Sequence, residues 1–211
     1  YRRTSYGGGG GGGGAGYYPA GGTDPSLNPA LWSQPKRNIT PLTKAMLIPS
    51  LVGGMPDWDR LRAIADRHGL KIIEDSCDTL GGHYRGRPAG ERSDISVSSF
   101  SIFHIITCLG NGGLVAVNDP TLWDRALMLR AWGRSSEKFM HGTRQGDSDG
   151  RFLEDLGDIE YDAMFIFEEL GYGFIPNEAG AAFGHEQLNK LDMFTQLRQE
   201  RFDLHGAYMD R

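Results

Sequence analysis

The feature that most constrains the fold of this chain is an alternation of short strand-like runs with helical periodicity, which begins near residue 43. Between the first two runs, residues 58–65 place their apolar side chains on one helical face. Strands that alternate with amphipathic helices are typical of parallel sheets. The sequence therefore predicts an α/β fold with a mostly parallel sheet. The predicted strands are 45–48, 71–74, 95–100 and 114–117.

Helix boundaries follow from capping residues. Pro56 and Asp57 form a suitable start for the first helix, and Gly69 a suitable stop. A second helix is expected from Pro120 to about residue 132, and a last one over 177–197. The last helix is rich in alanine and glycine, so we expect it to pack closely against the sheet or a second subunit.

Two stretches are expected to lie outside the regular structure. Residues 1–37 contain an eight-glycine run and several prolines, a composition that cannot bury enough apolar surface to order a chain. We predict that this segment is flexible and that the folded domain spans 38–211. The acidic stretch 147–158 is predicted to be a surface excursion. The first residue is Tyr instead of Met, which suggests a fragment.

Composition excludes several classes of function. The 27 acidic and 22 basic residues are interspersed, so no basic stripe is available for nucleic acid. No run approaches the roughly 18 apolar residues of a membrane span, and we expect a cytoplasmic protein. Two cysteines, predicted to be buried thiols, cannot form a disulfide framework or a four-thiolate cluster. The histidines lack metal-ligand spacing, so no metal site is predicted.

Candidate site residues follow the ends of predicted strands. Asp75 and Asp78 come directly after the second strand, and Ser99 and His104 follow the third. In open α/β sheets, ligands bind beyond the carboxyl ends of the strands, where these side chains would converge. A buried carboxylate needs a cationic or hydrogen-bonding partner, and hydroxyls can hold a phosphate. Taken alone, Asp75 is as readily a cap, and His104 a core histidine.

Together with the glycine-rich segment 110–113, these residues form an ordered series of motifs that runs from 40–45 to 184–188. The series resembles the DegT/DnrJ/EryC1/StrS family, which acts on nucleotide sugars, within the aspartate-aminotransferase-like enzymes of fold type I. The resemblance implies a three-layer α/β/α large domain that binds pyridoxal phosphate, of which residues 38–211 form an incomplete part. It also implies a homodimer.

The resemblance also implies roles for the four site residues. Asp75 matches the acid that pairs with the pyridine nitrogen of the cofactor, and Ser99 matches the serine that binds its phosphate. Asp78 lies where most members have glutamine near the ring. His104 falls where transaminating members have the lysine that forms a Schiff base. Since imidazole cannot form a stable Schiff base, pyridoxal 5'-phosphate or, more suitably, pyridoxamine 5'-phosphate would be held non-covalently.

A histidine at this position resembles the subset that removes the C3 hydroxyl of nucleotide-activated 4-keto-6-deoxy sugars. In that subset His104 would act as the base, and L-glutamate would regenerate the pyridoxamine form. Absence of cysteine after Arg134 favours the branch that lacks an iron–sulfur cluster. Two alternatives stay open: a nucleotide-sugar aminotransferase of the same family, and a non-catalytic scaffold homologue.

Overall fold

The computed structural model describes residues 39–146 and 153–209. The segment 1–37, predicted to be flexible, and residues 147–152 of the acidic stretch lie outside the described residues. The strands are β1 (Ala45–Pro49), β2 (Lys71–Asp75), β3 (His83–Tyr84), β4 (Arg87–Pro88), β5 (Ile95–Ser99), β6 (Gly113–Val117), β7 (Leu153–Asp155) and β8 (Glu160–Asp162). The helices are α1 (Trp58–His68), α2 (Pro120–Arg130), α3 (Glu137–Met140), α4 (Glu178–Leu188) and α5 (Leu191–Met209).

The central sheet has the strand order β1-β2-β5-β6. The first three strands are parallel, whereas β6 runs antiparallel to β5. This arrangement confirms the predicted mostly parallel α/β class. β3 pairs with β4 and β7 with β8 as two small antiparallel hairpins. The second hairpin includes part of the stretch that was predicted only as a surface excursion.

α1 covers one face of the sheet. Asp57 caps the helix by accepting a hydrogen bond from the Arg60 amide at 3.1 Å, and Gly69 ends it with a φ of 61°. Both predicted boundaries are confirmed. The helix buries an apolar stripe that excludes water from this side of the sheet. The buried cluster comprises Trp58, Leu61, Ala65, Leu70 and Ile72.

The opposite face of the sheet is less covered. Leu47 of β1 is 60% exposed and Val115 of β6 is 49% exposed. Leu47 pairs with Ile73, and Val115 with Val97, so these side chains share one face. At β1 and β2 the sheet therefore has one covered face, called the closed face, and one open face, whereas β6 is exposed on both, since Leu114 on the closed-face side is 50% exposed.

The prediction of a single last helix over 177–197 is wrong. α4 ends at Leu188, and a separate helix, α5, begins at Leu191. The Lys190 amide donates to the carbonyl of Gln187, three residues earlier instead of four, which tightens the turn and redirects the chain. The redirected chain places Leu191 against Gly81, where an added Cβ would lie 3.2 Å from the leucine side chain.

Candidate active site

The carboxyl ends of β1, β2 and β5 meet at one edge of the sheet, as the parallel order requires. Asp75 pairs with Pro49 on one side and Val97 on the other. Ser99 lies two residues beyond Val97, so its side chain projects from the same face as that of Asp75. The sheet therefore places these two predicted residues on its open face, at the edge where α/β proteins bind ligands.

Asp75 keeps most of its carboxylate available. One oxygen, Oδ1, accepts a hydrogen bond from the Cys77 amide at 3.1 Å. Within residues 39–146 and 153–209, no lysine, arginine or histidine forms an ion pair with it. Burial, reinforced by the hydrogen bond to Asp75, raises the pKa of the Cys77 thiol to about 11. The thiol beside Asp75 is therefore neutral, and the negative charge of Asp75 is not compensated by its neighbours.

His104 lies in a short turn that follows β5. The His104 amide donates to the carbonyl of Ser101 at 3.1 Å, and the Ser101 hydroxyl lies 3.0 Å from His104 Nδ1. Ser101 is tied to Ser99 in turn, since its amide donates to Ser99 Oγ at 3.2 Å. These bonds connect the imidazole to the strand end through two serines. Sequence reasoning gave Ser101 no role, although its spacing of three from His104 was visible.

Asp78 has a different environment. Its Oδ2 accepts a hydrogen bond from the Val52 amide at 2.8 Å. Val52 belongs to the turn that follows β1 and has a φ of 55°, which is unfavourable for a β-branched residue. Asp78 thus fixes the turn after β1, whereas Asp75, Ser99 and His104 belong to the ends of β2 and β5.

The loop between His104 and β6 closes in a tight turn. Cys108 and Asn111 form an isolated bridge, with Leu109 and Gly110 at positive φ. α4 packs on this loop so closely that a Cβ at Gly184 would clash with the Cys108 sulfur. The small residues of this helix therefore serve contact with the loop that follows His104. Cys77 and Cys108, predicted to be buried, are only half-buried because both lie beyond strand ends.

His104 also lines a cavity of about 670 Å³ between its loop and α5. Asp75, Asp78 and Ser99 do not line this cavity. His104 therefore lies between the carboxyl-end edge of the sheet and the cavity beside α5. The lining residues are Ile102, His104, Ile105, Ile106, Thr107, Gln187, Phe194, Leu197, Arg198, Arg201, Phe202 and His205.

A second polar cluster occupies the closed face of the sheet. Ser76 Oγ lies 3.0 Å from Ser96 Oγ and 3.1 Å from Ser98 Oγ. Beside them Glu74 is fully buried, and its Oε2 accepts a hydrogen bond from the Gly90 amide at 2.9 Å. Burial raises the pKa of Glu74. Sequence reasoning gave Glu74 no role.

None of the site residues that the structure places at the strand ends is a lysine. Lys71 begins β2 at the opposite end, where its Nζ lies 3.2 Å from Asp94 Oδ1.

In the described part of the chain, no cluster of His, Cys, Asp and Glu could hold a metal ion. Among the helices that the structure describes, none has the length and hydrophobicity needed to cross a bilayer. The donor set of carboxylate, hydroxyls and imidazole suits a cationic ring nitrogen and a phosphate.

Comparisons with known proteins identify what the chain is similar to. A family model described as the DegT/DnrJ/EryC1/StrS aminotransferase family matches residues 30–210. A dTDP-3-amino-3,4,6-trideoxy-alpha-D-glucose transaminase from Streptomyces venezuelae is 42% identical over 124 residues, 59% of this chain and 32% of that protein. A GDP-4-keto-6-deoxy-D-mannose 3-dehydratase from Yersinia pseudotuberculosis is 33% identical over 168 residues, 78% of this chain and 40% of that protein. The chain thus spans between a third and two fifths of the length of these relatives.

Solved structures give a similar result. A histidine-to-asparagine mutant of GDP-4-keto-6-deoxymannose-3-dehydratase, with bound GDP-perosamine, matches with a TM-score of 0.66 and 25% identity over 80% of this chain and 41% of that one. The Escherichia coli GDP-4-keto-6-deoxy-D-mannose-3-dehydratase with bound hydrated PLP matches with a TM-score of 0.63 and 25% identity, over 78% of this chain and 40% of that one. Transaminases and dehydratases are therefore both among the similar proteins.

Proposed function

Because the chain belongs to the DegT/DnrJ/EryC1/StrS aminotransferase family, we propose that it carries the cofactor-binding part of a sugar 3-dehydratase. The substrate would be a nucleotide-activated 4-keto-6-deoxyhexose that loses its C3 hydroxyl. The single observation that carries the proposal is His104, which lies five residues after Ser99 and which the resemblance aligns with the lysine of transaminating members.

Three residues would hold the cofactor, pyridoxamine 5'-phosphate or pyridoxal 5'-phosphate. The uncompensated carboxylate of Asp75 would accept a hydrogen bond from the protonated ring nitrogen, and Ser99 would bind the phosphate. Asp78 would lie near the ring while it supports the turn that contains Val52. When bound, the pyridoxamine form supplies a primary amine for the sugar ketone and an electron-withdrawing ring.

His104 would act as the base. If Nδ1–H donates to the Ser101 hydroxyl 3.0 Å away, Nε2 is left with a free lone pair. Nε2 would be the atom that accepts a proton, and the bound cofactor would supply the electron-withdrawing ring that allows the C3 hydroxyl of the sugar to leave. Histidine is the side chain that most often serves as a general base in enzymes.

The test compares a His104→Asn variant with the unchanged protein, each as the full polypeptide. We expect both to bind pyridoxamine phosphate, seen by absorbance, and the variant to remove the C3 oxygen about 10²-fold more slowly or worse. A His68→Asn variant is the matched control, since His68 is exposed at the end of α1. Unchanged turnover in the His104 variant would refute its role as base.

The runner-up is a nucleotide-sugar aminotransferase, which the 42% identity to the Streptomyces transaminase favours. The two candidates differ in how pyridoxal phosphate is held. Borohydride reduction followed by intact mass would leave the protein mass unchanged for the dehydratase and add one cofactor for a lysine-dependent aminotransferase. Failure to bind either cofactor form would favour a scaffold role instead.

Two partners complete the proposal. L-Glutamate would serve as amino donor for regenerating the pyridoxamine form, and a second copy of the chain would complete a homodimer. Support for the dimer comes from the segment after β8, where Phe165, Leu170 and Phe174 are 65%, 97% and 68% exposed. Large apolar side chains that are exposed repeatedly along one segment are typical of protein interfaces. Light scattering of the purified protein at several concentrations tests this point.

A further inference from the structure

The cavity beside His104 contains a feature that the proposed chemistry does not use. One wall is formed by α5, which contributes Arg198, Arg201 and His205. Spacings of three and four residues place these side chains in one stripe along the helix. Of the described residues that line the cavity, none is acidic. The wall that faces the His104 loop is therefore cationic.

Two acidic residues of α5, Glu200 and Asp203, lie on the other side of the helix by their spacing and are already engaged. Gln196 Nε2 donates to Glu200 at 2.8 Å, and Gln199 Nε2 donates to Asp203 at 2.8 Å. Arg198 and Arg201 are exposed, and neither forms an ion pair within the part of the chain that the structure describes. Charge is thus segregated around the helix, with the guanidinium groups left available on the cavity side.

We propose that Arg198 and Arg201 bind the diphosphate of the nucleotide-activated sugar. This inference rests on the proposed function, because it names where the substrate of that reaction extends from His104. Guanidinium groups offer several donors in a planar fork that matches phosphate oxygens, and two of them suit two phosphates. The space is an open groove of about 670 Å³, a volume within the usual range for small-molecule sites.

The position of His104 indicates the direction in which the bound substrate would extend. His104 lies at the boundary between the strand edge, where Asp75 and Ser99 would hold the cofactor, and the cavity under α5. A sugar whose ring reaches His104 can extend its diphosphate into the cavity without displacing the cofactor. Phe194 and Phe202 of the same helix supply apolar surface beside the arginines.

The test measures binding by calorimetry with two probes, dTDP and inorganic pyrophosphate, on the full chain. The unchanged protein should bind dTDP, and an Arg198→Gln/Arg201→Gln double variant should bind it about tenfold more weakly or worse. A double lysine variant, which keeps the charge, should recover part of the affinity. Arg67→Gln is the matched control, since Arg67 is exposed on α1 and lies outside the cavity.

Pyridoxamine phosphate binding, followed by absorbance, separates this inference from the proposed function. If the double variant loses dTDP but binds pyridoxamine phosphate normally, the diphosphate site is supported. If dTDP behaves as expected while no protein binds pyridoxamine phosphate, the diphosphate site stands and the dehydratase proposal fails.

Three results would overturn the diphosphate site. The first is equal dTDP affinity in the double variant and the unchanged protein. The second is a double variant that loses binding of pyridoxamine phosphate but not of dTDP. The third is an unchanged protein that binds neither probe. Far-UV circular dichroism checks that the variants fold. If the double variant loses helix signal, the two single variants take its place, and each is expected to weaken dTDP binding.

Discussion

Two neighbouring carboxylates on β2, Glu74 and Asp75, lie on opposite faces of the sheet and have contrasting surroundings. Glu74 is fully buried on the face that α1 covers and is bonded to the Gly90 amide. Asp75 lies on the open face and keeps most of its hydrogen-bonding capacity. Ser98 and Ser99 repeat the contrast one strand away. The alternation of side chains along a strand thus separates polar residues that hold the fold from those available to a ligand.

The largest expected effect concerns the closed face. Glu74→Ala should lower the free energy of unfolding by about 2 kcal/mol, because the Gly90 amide loses its partner and a void forms. Urea denaturation of the two proteins measures this change. Cofactor affinity of the folded variant should stay the same. A variant as stable as the unchanged protein would show that Glu74 does not hold the fold.

The open face should respond in the opposite way. Asp75→Asn should weaken pyridoxamine phosphate binding by about tenfold, which corresponds to roughly 1.4 kcal/mol, since an amide cannot stabilise the protonated ring nitrogen. Absorbance titration gives the affinity, and the urea midpoint should move little. Equal cofactor affinity in the two proteins would contradict the role proposed for Asp75.

Ser98 and Ser99 allow the same comparison of the two faces of the sheet, with smaller expected effects. Ser98→Ala removes bonds within the closed cluster and should lower the free energy of unfolding by about 1 kcal/mol. Ser99→Ala should instead weaken binding of pyridoxamine phosphate relative to pyridoxamine, which has no phosphate. Denaturation and titration of both variants give the two comparisons. If both serines affect only stability, the assignment of Ser99 to the phosphate is wrong.

The smallest expected effect is a pH dependence from Glu74. Its pKa is raised by burial, so the folded state favours the protonated form. Stability from this group is present below the pKa of the unfolded chain, near ~4.3, and is lost as pH rises through the folded value. A Glu74→Gln variant should lack this loss, so the difference in urea midpoint between the proteins should change from pH 4 to pH 7. A constant difference would contradict the raised pKa.

Local signals account for the parts of the fold that the sequence predicts well. Asp57, Gly69 and Pro120 act within a few residues of themselves, so the boundaries they set can be recognised without tertiary structure. The direction of β6 could not be predicted in this way, since an apolar run reads the same in either direction. The end of α4 at Leu188 is likewise not marked by a nearby glycine or proline: the chain turns there through the bond from the Lys190 amide to Gln187, and Leu191 then lies against Gly81.

The candidate site likewise combines residues whose placement the sequence predicts with contacts that it does not predict. The placement of Asp75 and Ser99 on one face follows from the strand ends and the parallel order, which the sequence predicts. The bond between Asp78 and Val52 joins residues 26 positions apart, and no local pattern indicates it. The spacing of Arg198 and Arg201 is visible in the sequence, but the cavity opposite them exists only once α5 has packed near the His104 loop.

The turn at Val52 has a consequence for redesigning the chain. Its left-handed backbone is held by the hydrogen bond that the Val52 amide donates to Asp78. Exchanging Asp78 for glutamine would lengthen the side chain by one methylene and move its acceptor away from the Val52 amide. A design that replaces Asp78 should therefore change both positions together, with glycine at 52 to accept the same backbone at no steric cost.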